Sequence, residues 1–192
     1  MNAFALCDSL ATRKSAVEVA PSFTFRGVAP ARVINNPSSG ERIVIRADAA
    51  ETDGALLAFE VELPPGGHVP AGHAHPLQEE QFTVLEGQLR FRVGWRTRLL
   101  RRGDVVTVSP GTAHWFGNAG ATVARARVEV RPALRMEELL ATSGQVARHN
   151  PVQRLVSVAR LLVEFHREVA VPYIPGWLMR LFLKPIARLY RA

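Results

Sequence analysis

From about Phe23 to Pro132 the chain reads as short runs of period-two alternation separated by clusters of Gly, Pro, Asn and Asp. That is the pattern of an all-β domain. Asn35-Asn36-Pro37-Ser38-Ser39-Gly40 reads as a turn before a strand at Glu41–Ala47. The next strand, Gly54–Leu63, puts Ala55, Leu57, Phe59, Val61 and Leu63 on one face and Glu60 and Glu62 on the other, and Pro64-Pro65-Gly66-Gly67 ends it. Further strands are predicted at Glu79–Leu85, Gln88–Val93, Thr97–Arg101, Asp104–Val108 and Thr122–Arg131, with another opening at His114. Arg90 and Arg92 face away from Leu89, Phe91 and Val93 and read as solvated exterior. Roughly eight short strands at this spacing predict a jelly roll or small barrel rather than a parallel sheet.

Beyond Pro132 the period lengthens to about 3.6. Leu134–Ala141 predicts a short helix. Asn150 as N-cap and Pro151 at the first helical position then open a longer one, to about Val169. Its polar stripe is Gln153, Ser157, Arg160, Glu164 and Arg167, and the opposite side needs an apolar surface to cover. After Pro172, Pro175 and Gly176 a last amphipathic stretch runs from Trp177 to Tyr190, with a kink expected at Pro185.

Three segments follow: an N-terminal extension over 1–22, a β-barrel over 23–132 and a helical extension over 133–192. A length of 192 residues fits one domain with appendages. With 47% hydrophobic and 21% charged residues, disordered and collagen-like classes are excluded. The lone Cys7 excludes an internal disulfide framework, no uncharged apolar run is long enough to span a bilayer, and no secretory leader is recognisable, so a cytoplasmic location is expected. The net charge of +7 is unevenly placed: residues 1–133 hold 15 Lys or Arg against 13 Asp or Glu, and residues 134–192 hold 9 against 4. The basic excess therefore belongs to the helical tail.

Chemistry concentrates in two blocks. His73 and His75 are two apart, and in extended chain such side chains leave the same face about 6.5 Å apart, so two imidazoles can converge on one ion. A carboxylate should join them. Glu80 shares parity with Phe82 and Val84, which belong inside a barrel, whereas Glu79 shares it with the polar Gln81 and Thr83; Glu80 is the better candidate. In the second block a strand leads through Ser109-Pro110-Gly111 to His114, which an antiparallel roll can return beside the first pair.

These blocks resemble the two motifs of the cupin superfamily. Gly67, His73, His75, Glu80 and Gly87 meet the first, and Gly103, Gly111, His114 and Asn118 meet the second. Ser109 stands where the family has proline, a departure that touches turn rigidity and removes no ligand. The resemblance spans about residues 55–130 and implies a mainly β fold, the double-stranded β-helix of the cupin jelly-roll barrel, here with C-terminal α-helices. It implies metal ligation by His73, His75, Glu80 and His114 and one divalent transition ion, Fe, Mn, Ni, Zn or Co.

Such a ligand set leaves a six-coordinate ion two open positions, a layout suited to catalysis. Phe82, Val84, Phe91 and Phe116 share parity with the ligands and are expected to make an apolar pocket. Few other acids or bases are expected inside, so Glu80 is also the candidate catalytic group. The expected activity is that of an oxygenase or isomerase of a small organic molecule, as in quercetin-dioxygenase-like cupins; the other reading is a binding or sensing module without turnover. A homodimer is expected from the resemblance. No nucleic-acid partner is expected, because no reading motif accompanies the charge. Arg180, Lys184, Arg188 and Arg191 form one stripe opposite Trp177, Leu178, Leu181, Phe182, Ile186 and Leu189. Packing on the barrel or on a second subunit is the expected use of that helix, with peripheral membrane contact through 172–192 as the second.

Overall fold

A computed structural model describes residues 32–188 apart from 70 and 147. The expected extension over 1–22, Cys7 included, lies outside the described residues, as do Tyr190 and Arg191. Nine strands are present among those described: β1 (Val33–Asn36), β2 (Glu41–Ala47), β3 (Leu57–Leu63), β4 (Glu79–Glu86), β5 (Gln88–Val93), β6 (Arg96–Arg101), β7 (Val105–Val108), β8 (His114–Asn118) and β9 (Ala124–Arg131). Three helices follow: α1 (Met136–Val146), α2 (Pro151–Glu164) and α3 (Gly176–Arg188).

The strands form two antiparallel sheets, one of six in the order β1-β2-β3-β9-β4-β7 and one of three in the order β6-β5-β8. This is a mainly β fold with C-terminal helices, a double-stranded β-helix. The core lies between the sheets. Alternate positions of β4 (Glu80, Phe82, Val84), β5 (Leu89, Phe91) and β9 (Ala124, Ala126, Val128, Val130) are buried there, as period-two patterning requires. Gly87, between β4 and β5, has a φ of +72°, and a Cβ there would stand 2.8 Å from Ala124 Cα. Only glycine fits that corner.

Two local patterns differ from the sequence reading. β1 occupies Val33–Asn36, so the turn begins later and Asn36 closes a strand instead of opening a loop; its side chain accepts from the Ser38 backbone and hydroxyl, a local hydrogen-bonded turn. Glu60, on the outer face of β3, is buried as well. Arg46 (3.0 Å) and Arg125 (2.8 Å) donate to its carboxylate, and their hydrogen bonds and charge hold the acid below its usual range despite burial.

In α2 the Asn150 side chain accepts from the Gln153 amide with Pro151 at the start, as expected from its sequence. The helix ends at Glu164 rather than near Val169. Phe165, just past the helix, is buried and His166 is exposed. α3 continues through Pro185. Helices α1 and α2 pack against the barrel. They bring Met136, Leu139, Leu140, Val158, Leu161 and Leu162 into the wall of the internal cavity. α1 also packs on β1, where Gly144 permits the approach: a Cβ there would meet Asn35 O at 2.7 Å.

Candidate metal centre

The four sequence-predicted ligands converge. One donor atom from each of His73, His75, Glu80 and His114 lies within 4.8 Å of all the others, the scale of one coordination sphere. Backbone pairing explains how residues this far apart meet. His73 and His114 exchange both backbone hydrogen bonds, N–H to O at 3.1 and 2.8 Å, so their imidazoles project together with ring centroids 4.4 Å apart. Glu80 sits opposite Val108 in the β4–β7 ladder, and the chain leaving β7 turns through Ser109-Pro110-Gly111, where the Gly111 amide donates to His75 O at 2.8 Å. Glu80 therefore faces inward as parity predicted, and Glu79 is exposed.

The imidazoles are held by backbone carbonyls. His73 Nδ1 contacts Ala71 O at 3.0 Å, His114 Nδ1 contacts Thr112 O at 3.2 Å, and His75 Nδ1 contacts Glu168 O in the segment after α2. A carbonyl only accepts, so each Nδ1 carries a proton, and in the neutral ring Nε2 is the atom with the lone pair. Glu80 Oε2 faces two of these, His114 Nε2 at 2.9 Å and His75 Nε2 at 3.3 Å. All three atoms are buried without a hydrogen-bond partner of complementary kind. Acceptors at such distances repel unless a cation lies among them, and either a proton or a metal ion meets that need. The residues present thus fit a divalent ion.

The electrostatics agree. Burial alone would raise the Glu80 carboxyl, but facing His75 and His114 holds it well below the ordinary range. Burial lowers His75, yet Glu80 more than offsets this and the net direction is upward. Desolvation, with His75 and His114 alongside, pushes His73 down to about 3, so it stands neutral with its lone pair available.

The cavity holding this cluster has a volume of about 550 Å³. Phe82 and Phe116 line it as expected. Val84 and Phe91 do not: they share the parity but lie a layer deeper, each 1% exposed, with Phe91 stacked on Phe116 at 5.5 Å and edge-on to Phe82 at 4.8 Å. They form the floor beneath the aromatic wall. Trp115 points the other way, donating from Nε1 to Val69 O at 3.1 Å. Asn118 is a brace, donating to Leu63 O and Thr122 O and accepting from the Gly120 amide.

One cavity residue escaped the sequence reading. Glu41 opens β2, and with Ile43 and Ile45 it forms the inward-facing set of that strand; the period-two signal Glu41-Ile43-Ile45 lies within the strand expected at Glu41–Ala47, but it does not show that this end of the strand borders a cavity.

Residues 59–130 match the family model described as "Cupin domain". A search of curated proteins finds no match. Among solved structures the chain is similar to an RmlC-like cupin from Shewanella frigidimarina, at 19% identity and a TM-score of 0.50, covering 60% of this chain and 96% of that one. It is also similar to a predicted oxalate decarboxylase from Thermotoga maritima (23% identity, TM-score 0.46, 53% of this chain and 91% of that one) and to KdgF from Halomonas sp. (20%, 0.44, 48% and 79%). Residues 59–130 thus match a cupin domain, and the Shewanella structure shares the fold of this barrel.

Proposed function

We propose that the barrel binds one divalent transition ion through His73, His75, Glu80 and His114 and acts as a metal-dependent enzyme, an oxygenase or isomerase of a small organic molecule held in the cavity. The observation that supports this most directly is the cluster of His75 Nε2, His114 Nε2 and Glu80 Oε2, all buried, all without a hydrogen-bond partner and all close together. When bound, the ion supplies Lewis acidity and open positions for substrate or oxygen. The chain's own part is threefold. Carbonyls of Ala71, Thr112 and Glu168 fix the imidazole orientations, Phe82 and Phe116 exclude water, and Glu80 is the carboxylate placed to hold or release a proton at Oε2.

Elemental analysis of protein purified without added metal, followed by oxygen uptake and product analysis with candidate substrates, tests the reading. About one ion per chain, lost in His75→Ala, supports it; metal-free protein that takes up no ion on titration ends it. The second reading, a binding or sensing module without turnover, is favoured by the scarcity of other acids and bases beside the cluster. Ligand binding without conversion would establish it.

For the tail, we infer contact with an anionic bilayer surface. In α3, Met179 is buried and Leu178, Leu183 and Ile186 are half-buried, while Trp177, Leu181 and Phe182 remain 60–64% exposed. The same helix contains Arg180 and Lys184 and no acidic residue. An exposed aromatic and aliphatic set among cations suits a lipid headgroup region. No helix among the described residues is long and apolar enough to cross a membrane, so the contact is peripheral.

A further inference from the structure

The cavity has a second polar end. Glu41 lines it, is 8% exposed, and stands on the inward face of β2 beyond Ile43. Ser39 Oγ donates to Glu41 Oε2 at 2.7 Å and Asn36 Nδ2 donates to the same oxygen at 3.3 Å. Among the described residues nothing hydrogen-bonds Oε1. The carboxyl thus has one oxygen engaged by Ser39 and Asn36 and the other open to the cavity, where a polar group of a bound molecule can reach it.

The ladder registers place this group far from the metal ligands. Glu80 pairs with Val130 and Val130 with Leu57, whereas Glu41 precedes Arg42, which pairs with Glu62. Glu41 thus falls in the row of Leu63, and the two rows are six residues apart along β3, about 20 Å at the rise of a strand. Between them the wall is apolar, made by Ile43 and Val61 from the barrel and by Met136, Leu139, Leu161 and Leu162 from the helices. His68 and Ser38 accompany Glu41 in the lining. Burial pushes the Glu41 carboxyl up, against opposing pulls from Ser39, Asn36 and His68, and so favours the neutral acid.

We propose that the cavity takes an elongated, mainly apolar molecule with an oxygen ligand for the metal at one end and a hydroxyl at the other, and that Glu41 is the residue that selects the hydroxyl. A hydroxyl both donates and accepts, so it satisfies Oε1 whichever protonation state the carboxyl holds. The position of the head group rests on the metal reading above; selection by Glu41 does not.

Calorimetric titration of the full chain with octanoate, decanoate and dodecanoate and with their ω-hydroxy derivatives tests this. At the best chain length the ω-hydroxy acid should bind about tenfold tighter than its plain partner, the worth of one hydrogen bond to a buried group. Glu41→Leu should erase that preference while keeping or improving affinity for the plain acid, and Glu41→Gln, which retains hydrogen-bonding capacity, should keep part of it. Equal affinities within each pair, a preference that survives Glu41→Leu, or no binding of any member would overturn the proposal. In His75→Ala all affinities should fall but the hydroxyl preference should remain, so a failure of the metal reading and a failure at Glu41 give different results.

Discussion

His75 donates from Nδ1 to the backbone carbonyl of Glu168, a residue 93 positions further along the chain. That carbonyl is held over the imidazole by the exchange between Ala74 and Ala170, N–H to O at 3.1 and 2.9 Å. The orientation of a candidate ligand therefore depends on a segment outside the barrel. Ala170→Pro removes the Ala170 N–H and should lower metal affinity about tenfold, the lower end of the cost of losing an outer partner of a ligand. Competition with a chromophoric chelator measures it, with circular dichroism showing that the β fold is retained.

Metal should also stabilise the fold. An ion bound only by the native state adds about 4 kcal/mol at a thousandfold excess over Kd. That corresponds to a rise in Tm on the order of 10 °C for a domain of this size. The rise should be absent in His114→Ala, and calorimetry with and without chelator checks both.

Two phenylalanines separate core from surface. Phe91→Ala removes a ring 1% exposed and stacked on Phe116, and should cost about 3–5 kcal/mol in urea unfolding. Phe182→Ala, on an exposed part of α3, should change stability by less than about 0.5 kcal/mol.

Glu41 predicts a dependence on pH. Its folded pKa lies above 4.5, so the native state binds a proton that the unfolded chain has released. The contribution is fully present below about pH 4.5 and is lost as pH rises through the folded pKa. Glu41→Gln cannot ionise, so its stability relative to the parent should increase with pH across that window. His68 is the titratable neighbour that pulls Glu41 down, and repeating the series in His68→Gln separates its part. A difference that does not vary with pH would show that Glu41 ionises normally.

Liposome flotation reads the tail. The full chain should float with anionic vesicles and not with neutral ones, and Leu181→Ser with Phe182→Ser should reduce binding at least tenfold. Equal recovery with both vesicle types, or a stable dimer lost in the same variant, would assign this face to charge-independent adsorption or to a second subunit.

Much of the barrel was legible because strand patterning is local. Alternation along Glu79–Leu85 assigned Glu80 inward and Glu79 outward before any pairing was known, and both assignments hold. Alternation reports a face but not a depth, which is why Val84 and Phe91 shared the ligands' parity yet lie behind the wall that Phe82 and Phe116 form. Glu41 was missed for another reason: it shares parity with Ile43 and Ile45, but alternation within one strand does not show which end of it borders a cavity. The use of the helices was illegible for a third reason. Amphipathicity says that α1 and α2 must cover something apolar, and only the tertiary structure shows that this includes the cavity of the barrel.

The separation between His75 and Glu168 also orders events during synthesis. His73, His75, Glu80 and His114 all emerge from the ribosome well before Glu168 and Ala170, so a nascent barrel can gather its four side chains while one imidazole still lacks its support and the cavity lacks a wall. The support of His75 is complete only when residues 168–170 fold back onto the barrel, so a chain cut short before Glu168 should hold that imidazole less firmly than the full one.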